Sequence, residues 1–102
     1  MRRVVITGMG ALTPIGNTYA EFVEGLKAGR SGAGPITKFD PTLFKVRFAC
    51  EVKDFDVEKF IPKKEARRVD TFAQYAIVSA DEAILSSGLD MEKVDHDRVG
   101  VI

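Results

Sequence analysis

The sequence predicts an α/β layer protein, and three observations carry that assignment. Val4-Val5-Ile6 is an unbroken β-branched run near the start, and Val99-Gly100-Val101-Ile102 is a second apolar run at the end. Between them, the stretch from about Lys64 to Ser87 carries the longest helical pattern of the chain. An apolar run without polar alternation suits a strand covered on both faces, as in parallel sheets packed between helices. Strands and helices following one another in this way build layered α/β folds. Two or three strands make too small a sheet for so much two-faced apolar surface, so the 102 residues read as part of a larger protein.

Each element has its own local signal. After the first strand, Thr18-Tyr19-Ala20-Glu21 has the form of a capping box: the threonine hydroxyl takes a first-turn amide and the glutamate reaches back. Phe22, Val23 and Leu26 give the helix an apolar face, and Gly29 is its expected stop. Residues 30–47 read as loop, punctuated by Gly32, Gly34, Pro35, Asp40 and Pro41, with Ile36, Phe39, Leu43 and Phe44 as anchors. Phe48-Ala49-Cys50-Glu51-Val52 is a short strand by composition, and Asp56 to Phe60 fits one helical turn before Pro62. The long helix from Lys64 to Ser87 closes at Gly88. Within it Ala73, Ala76, Ala80 and Ala83 recur at steps of three and four, a small-residue stripe that lets another element approach closely. Phe72, Ile77, Ile84 and Leu85 widen its apolar surface and predict a deeply packed helix. Residues 89–98 form a charged connection to the last strand.

Composition narrows the function classes. Hydrophobic residues make up 45% and charged residues 29%, the balance of a soluble globular chain. Lys+Arg and Asp+Glu both total 15, so net charge directs the chain toward neither nucleic acid nor an anionic membrane. A single cysteine excludes an internal disulfide and fits a reducing compartment. Val4-Val5-Ile6 is too short for the apolar centre of a secretory signal, and no run reaches the roughly 18 apolar residues of a membrane-spanning helix. The expected location is cytoplasmic.

The opening "RVVITGMGALTPIGN" looks at first like a phosphate loop. A dinucleotide fingerprint needs Gly-x-Gly-x-x-Gly, with the helix beginning inside the motif so that its amides meet the pyrophosphate. Here Thr13 stands where the third glycine belongs, and Pro14, which has no N–H, follows. The capping box delays the helix to Thr18, and no Gly-Lys-Ser/Thr follows as a nucleotide P-loop requires. The chemistry favours a glycine turn and a rigid Thr-Pro-Ile-Gly connection.

These residues resemble a known family. "RRVVITGMGALTPIGN" is similar to the N-terminus of the β-ketoacyl-[acyl-carrier-protein] synthases, the condensing enzymes of fatty acid synthesis. The resemblance continues in "GRSGAGPITKFD", "FACEVKDFD", "KKEARRVDTFAQYA", "SSGLD" and "RVGVI", and so covers essentially the whole chain. The long-chain elongating type II synthases fit best, with the aromatic polyketide ketosynthases as close relatives. The resemblance implies a partial thiolase-like fold, in which residues 1–102 are the first part of the N-terminal half of a single ketosynthase domain: an incomplete mixed sheet with packed helices. It also implies a homodimer, decarboxylative Claisen condensation, and no cofactor. The family's nucleophilic cysteine and two histidines are expected downstream of Ile102, so none of the catalytic set lies in this segment. Cys50 lacks a small-residue turn into a helix, and a thiolate beside Glu51 is disfavoured rather than activated. His96 stands between Asp95 and Asp97 in a connection and reads as solvated.

One local basic patch remains, Lys63-Lys64-Glu65-Ala66-Arg67-Arg68. Helical spacing places Lys64 and Arg68 on adjoining turns with Arg67 beside them. On charge pattern alone this is a solvated face with Glu65 as partner. Four cations without flanking aromatics are a weak nucleic-acid footprint. The resemblance instead implies that Lys64, Arg67 and Arg68 dock acyl carrier protein, an acidic helical partner that carries acyl and malonyl groups on phosphopantetheine. Two other readings compete: a non-catalytic carrier-protein binding module of the polyketide chain-length-factor kind, and an NAD(P)-dependent oxidoreductase.

Overall fold

The computed structural model describes residues 1–102, with three α-helices, one antiparallel pair of strands and two short 3-10 turns. Helix α1 (Tyr19–Lys27) forms where the capping box places it. Thr18 Oγ1 accepts from the Glu21 amide at 3.2 Å, and Glu21 Oε2 accepts from the Asn17 amide at 2.8 Å, one residue before the position a capping box uses. At the other end the Arg30 amide donates to the Gly25 carbonyl at 2.9 Å and the Gly29 amide to Leu26 at 3.0 Å. With Gly29 at φ +61°, this is a Schellman closure, and the expected stop is the observed one.

Strand β1 (Ala33–Pro35) pairs with β2 (Phe48–Cys50), in the register Ala33 to Cys50, Gly34 to Ala49 and Pro35 to Phe48. The first three residues of the expected Phe48–Val52 strand are therefore strand. Its partner falls in a stretch that reads as loop, because Gly34 and Pro35 are turn formers. A proline without an N–H is accommodated here because β1 is an edge strand. Lys53 ties this ribbon to the opening segment: its Nζ donates to the carbonyls of Gly32 at 2.9 Å, Pro14 at 3.3 Å and Glu51 at 3.3 Å. The expected turn before Pro62 is a 3-10 turn (Val57–Lys59), capped by Asp56 Oδ1 on the Glu58 amide at 3.1 Å.

The long helix is two helices. Helix α2 (Lys63–Ala66) ends and α3 (Thr71–Ser87) begins after a break in which Asp70 is extended at φ −62°, ψ 153°. Helical periodicity runs through this break, but aspartate prefers a helix start to a helix interior, and Asp70 stands at the N-cap of α3. Gly88 ends α3 at φ +70°, as its position after Ser87 predicts.

Two further expectations are corrected. Val4–Ile6 and Val99–Ile102 form no strand, and Val4 and Ile6 are 93% and 82% exposed. An extended run becomes a strand only when a neighbour takes its hydrogen bonds, and the two strands present pair with each other. Helix α3 is not deeply packed either: Val78 is its one buried residue, while Phe72 and Leu85 are largely exposed. The buried apolar residues are Ile61 just before Pro62, Ala66 of α2 and Val78 midway along α3. Phe55 links the segment before Pro62 to α3, packing edge-on to Tyr75 at 5.2 Å and stacking on Phe60 at 6.1 Å.

Candidate functional site

The glycines of the opening segment lie against α3. A Cβ built on Gly10 would stand 1.9 Å from the Ser79 carbonyl oxygen, and one on Gly8 would stand 2.1 Å from that of Ala83. Only glycine permits this approach of backbone to backbone. Of the expected alanine stripe, Ala83 lies at this crossing, with Ser79 and Ser86 completing the contact. Ser86 Oγ accepts from the Met9 amide at 3.1 Å and donates to the Met9 carbonyl at 3.2 Å. Glu82 accepts the Ala11 amide through Oε2 and the Tyr19 amide through Oε1, both at 2.9 Å.

That arrangement decides the phosphate question. The Met9 amide is taken by Ser86 and the Ala11 amide by Glu82, and the N-terminus of α1 already holds the Glu82 and Glu21 carboxylates. A phosphate placed there would meet fixed negative charge instead of free donors. Glu82 was not singled out from the sequence, although a signal exists: Ser79, Glu82 and Ser86 form a polar row at helical spacing beside the small-residue stripe.

The basic patch is the other candidate. Lys64 lies in α2, Arg67 is its C-cap at φ −68°, ψ −15°, and Arg68 follows in the turn. The Arg67 amide donates to Lys63 at 3.3 Å, whereas those of Arg68 and Val69 donate three residues back, to Glu65 at 2.9 Å and Ala66 at 3.3 Å. The helix thus tightens as it ends, and Lys64 and Arg68 do not sit on adjoining turns of a continuous helix as expected. The structure instead gathers Lys64, Arg67 and Arg68 on one short exposed turn. None of the three makes an ion pair or a side-chain hydrogen bond; Glu65 pairs with none of them, and Lys63 alone is paired, with Glu58 at 3.2 Å. Three unpaired cations on one turn form a local positive surface on a chain of zero formal net charge.

The cysteine and histidine stand apart from both features. Cys50 is exposed at the end of β2, away from any helix N-terminus. Its neighbour Glu51 is occupied, accepting from Thr37 Oγ1 at 2.7 Å and from the Thr37 amide at 3.2 Å. The Thr37 hydroxyl is the main cause that holds the Glu51 carboxyl below its ordinary range. His96 Nε2 bonds the Met91 carbonyl at 2.6 Å in an exposed 3-10 turn (His96–Arg98). No group of His, Cys, Asp and Glu has the arrangement to hold a metal ion, and no helix is long and apolar enough to cross a membrane.

Comparison with known proteins defines the class. The fold is shared with ketosynthases: the ishigamide ketosynthase/chain length factor structure superposes with a TM-score of 0.79 at 40% identity, covering 91% of this chain and 23% of that one. A second structure, AntDE:AntF, a type II PKS acyl-carrier protein in complex with its ketosynthase bound to the hexaketide, gives 0.63 at 29% identity, over 89% of this chain and 23% of that one. The 3-oxoacyl-[acyl-carrier-protein] synthase 2 of Synechocystis sp. is 46% identical over 101 residues, 99% of this chain and 24% of that protein. A family model, "Beta-ketoacyl synthase, N-terminal domain", matches residues 1–102. The chain therefore belongs to the β-ketoacyl synthase family, and it spans 24% of the length of the relative from Synechocystis.

Proposed function

We propose that the chain is the N-terminal part of a single thiolase-like ketosynthase domain in a 3-oxoacyl-[acyl-carrier-protein] synthase, and that it contributes the docking turn for acyl carrier protein. In the proposed reaction an enzyme thiolate attacks the carrier-bound acyl thioester, forming acyl-enzyme and releasing the carrier thiol. The malonyl group of a second carrier protein loses carbon dioxide, and the resulting enolate carbon attacks the acyl-enzyme carbonyl. A carbon–carbon bond forms, the enzyme thiolate leaves, and the carrier holds a 3-oxoacyl chain. Neither Cys50 nor His96 has the surroundings for this chemistry, so the nucleophile and its histidines belong elsewhere in the protein. The reading needs no cofactor. It includes homodimerisation and a cytoplasmic setting, to which a free thiol at Cys50 is suited.

The observation that carries the docking role is the turn bearing Lys64, Arg67 and Arg68, three exposed cations with no internal partner. An acidic helical protein is the complement such a turn selects, by charge steering that salt weakens. The test is the double reversal Arg67→Glu, Arg68→Glu in the full-length protein. KM for carrier-linked substrates should rise by roughly tenfold or more, with the effect shrinking at high salt and small thioester analogues spared. Unchanged carrier-protein kinetics would reject the docking role. The likeness to a ketosynthase/chain length factor structure favours one second reading, a non-catalytic carrier-binding partner subunit. Loading with a radiolabelled acyl thioester separates the two, because only the synthase forms a stable acyl-enzyme.

A further inference from the structure

The basic turn is held from behind by one side chain. Gln74, half-buried near the start of α3, donates through Nε2 to the carbonyls of Ala66 and Val69, both at 3.0 Å. Those two carbonyls bracket Arg67 and Arg68. The Ala66 carbonyl, at the end of α2, also takes the Val69 amide at 3.3 Å. The Val69 carbonyl lies two residues beyond the Arg67 cap, where the chain leaves the helix and carbonyls need partners from outside. No backbone amide donates to the Val69 carbonyl, so Gln74 is its partner. Ala66 is itself buried, so the inner side of the turn faces the protein.

The outer side has no such support. The side chains of Lys64, Arg67 and Arg68 make no hydrogen bond or ion pair, so whatever order the patch has comes from its backbone. A long side chain on a mobile backbone loses more entropy on binding than the same side chain on a fixed one. We infer that Gln74 is a positioning residue for carrier-protein docking: its amide clamps the Ala66 and Val69 carbonyls and so presents Arg67 and Arg68 in the orientation the partner meets. This inference rests on the docking role proposed above for the basic turn.

The two roles have different kinetic signatures. Long-range steering depends on how many charges the turn carries and sets the association rate with its salt dependence. Short-range fit depends on where the guanidinium groups sit and sets the dissociation rate. Removing the Gln74 clamp leaves the charges in number and disturbs them in place.

The experiment compares the full-length protein with its Gln74→Met variant, which keeps the side-chain length and removes both donors, by stopped-flow binding of purified acyl carrier protein over a range of salt. The dissociation rate should rise about three- to tenfold, the scale of one or two neutral hydrogen bonds, while the association rate and its salt slope stay with the parent protein. Gln74→Asn, which keeps a neutral polar head but is one methylene too short to reach both carbonyls, should raise the dissociation rate likewise, and it serves where methionine at this half-buried position compromises folding. The Arg67→Glu, Arg68→Glu protein is run in parallel and should lose association rate and salt slope. If that reversal acts as expected and both Gln74 variants dissociate like the parent, the clamp is overturned and the docking turn stands. If the reversal has no effect, the docking turn is overturned and the clamp with it. Equal losses of carrier binding and of turnover with small thioesters in the Gln74 variants indicate a general folding lesion and also overturn the inference.

Discussion

Glu82 Oε1 accepts the backbone amide of Tyr19, the first residue of α1, at 2.9 Å, while its other oxygen takes the Ala11 amide at the same distance. One carboxylate on α3 thereby ties down both the opening segment and the start of the first helix. A negative charge at a helix N-terminus is favourable on its own account, and here it also supplies hydrogen bonds to two otherwise free donors. Replacing Glu82 with glutamine keeps the shape but turns one acceptor into a donor that faces an N–H. Glu82→Gln should therefore lower stability by about 1–3 kcal/mol, read as a fall in the thermal midpoint of the full-length protein. An unchanged midpoint would show that the two amides find equivalent partners without the carboxylate.

The crossing of the opening segment over α3 makes a second prediction. At Gly10 a methyl group would have to displace the Ser79 backbone, since the intended Cβ position is 1.9 Å from its carbonyl oxygen. Gly10→Ala should cost about 1–3 kcal/mol or more through forced backbone movement. Gly34→Ala is the control, because a Cβ at Gly34 meets nothing within 4 Å and its φ is not positive. Equal midpoints for the two variants in thermal denaturation would contradict the close crossing.

What was legible in the sequence follows the range over which each feature is determined. The Thr18 cap, the Gly29 and Gly88 stops and the turn at Asp56 are set within a few residues, and all appear where their residues put them. The break between α2 and α3 is set by Asp70 together with a hydrogen bond from Gln74 back to Ala66, which periodicity does not register. Strand β1 hides behind its proline, and it becomes visible only once Phe48–Cys50 is known to lie beside it. Val4–Ile6 shows the limit from the other side: its composition is that of a strand, yet pairing is a property of neighbours. For the candidate site, the charge pattern marks the basic run Lys63 to Arg68 only as a solvated face, and it is the resemblance that singles out Lys64, Arg67 and Arg68. Their unpaired state and the Gln74 amide behind them required the structure.

Glu51 provides a pH prediction. The Thr37 hydroxyl, its largest influence, stabilises the charged carboxylate and holds its pKa below the ordinary glutamate value. Because the folded-state pKa is the depressed one, the contact contributes fully above the unfolded value of roughly 4.3. That contribution is lost as pH falls through the folded-state value. In an NMR titration of the side-chain carboxyl carbon, Glu51 should titrate below the ordinary range, and Thr37→Val should move it back up. A Glu51 midpoint that Thr37→Val leaves in place would mean that the hydroxyl is not the cause.

The glycine-rich opening supports a last prediction, about nucleotides. Phosphate binding at a helix N-terminus depends on free amides and a positive end of the helix. Here the Ala11 and Tyr19 amides are bonded to the Glu82 carboxylate, the Asn17 amide to Glu21, and the Met9 amide to Ser86. A dinucleotide would have to bring its pyrophosphate against two carboxylates and break these bonds before gaining any of its own. Gly8 and Gly10, the residues that prompt the comparison, have their open faces filled by the α3 backbone. Titration with NADPH, followed by the fluorescence of the nicotinamide ring, should show no saturable binding in the micromolar range. Saturation there would mean that the opening segment leaves α3 in solution, and the Glu82 and Ser86 contacts would have to be given up with it.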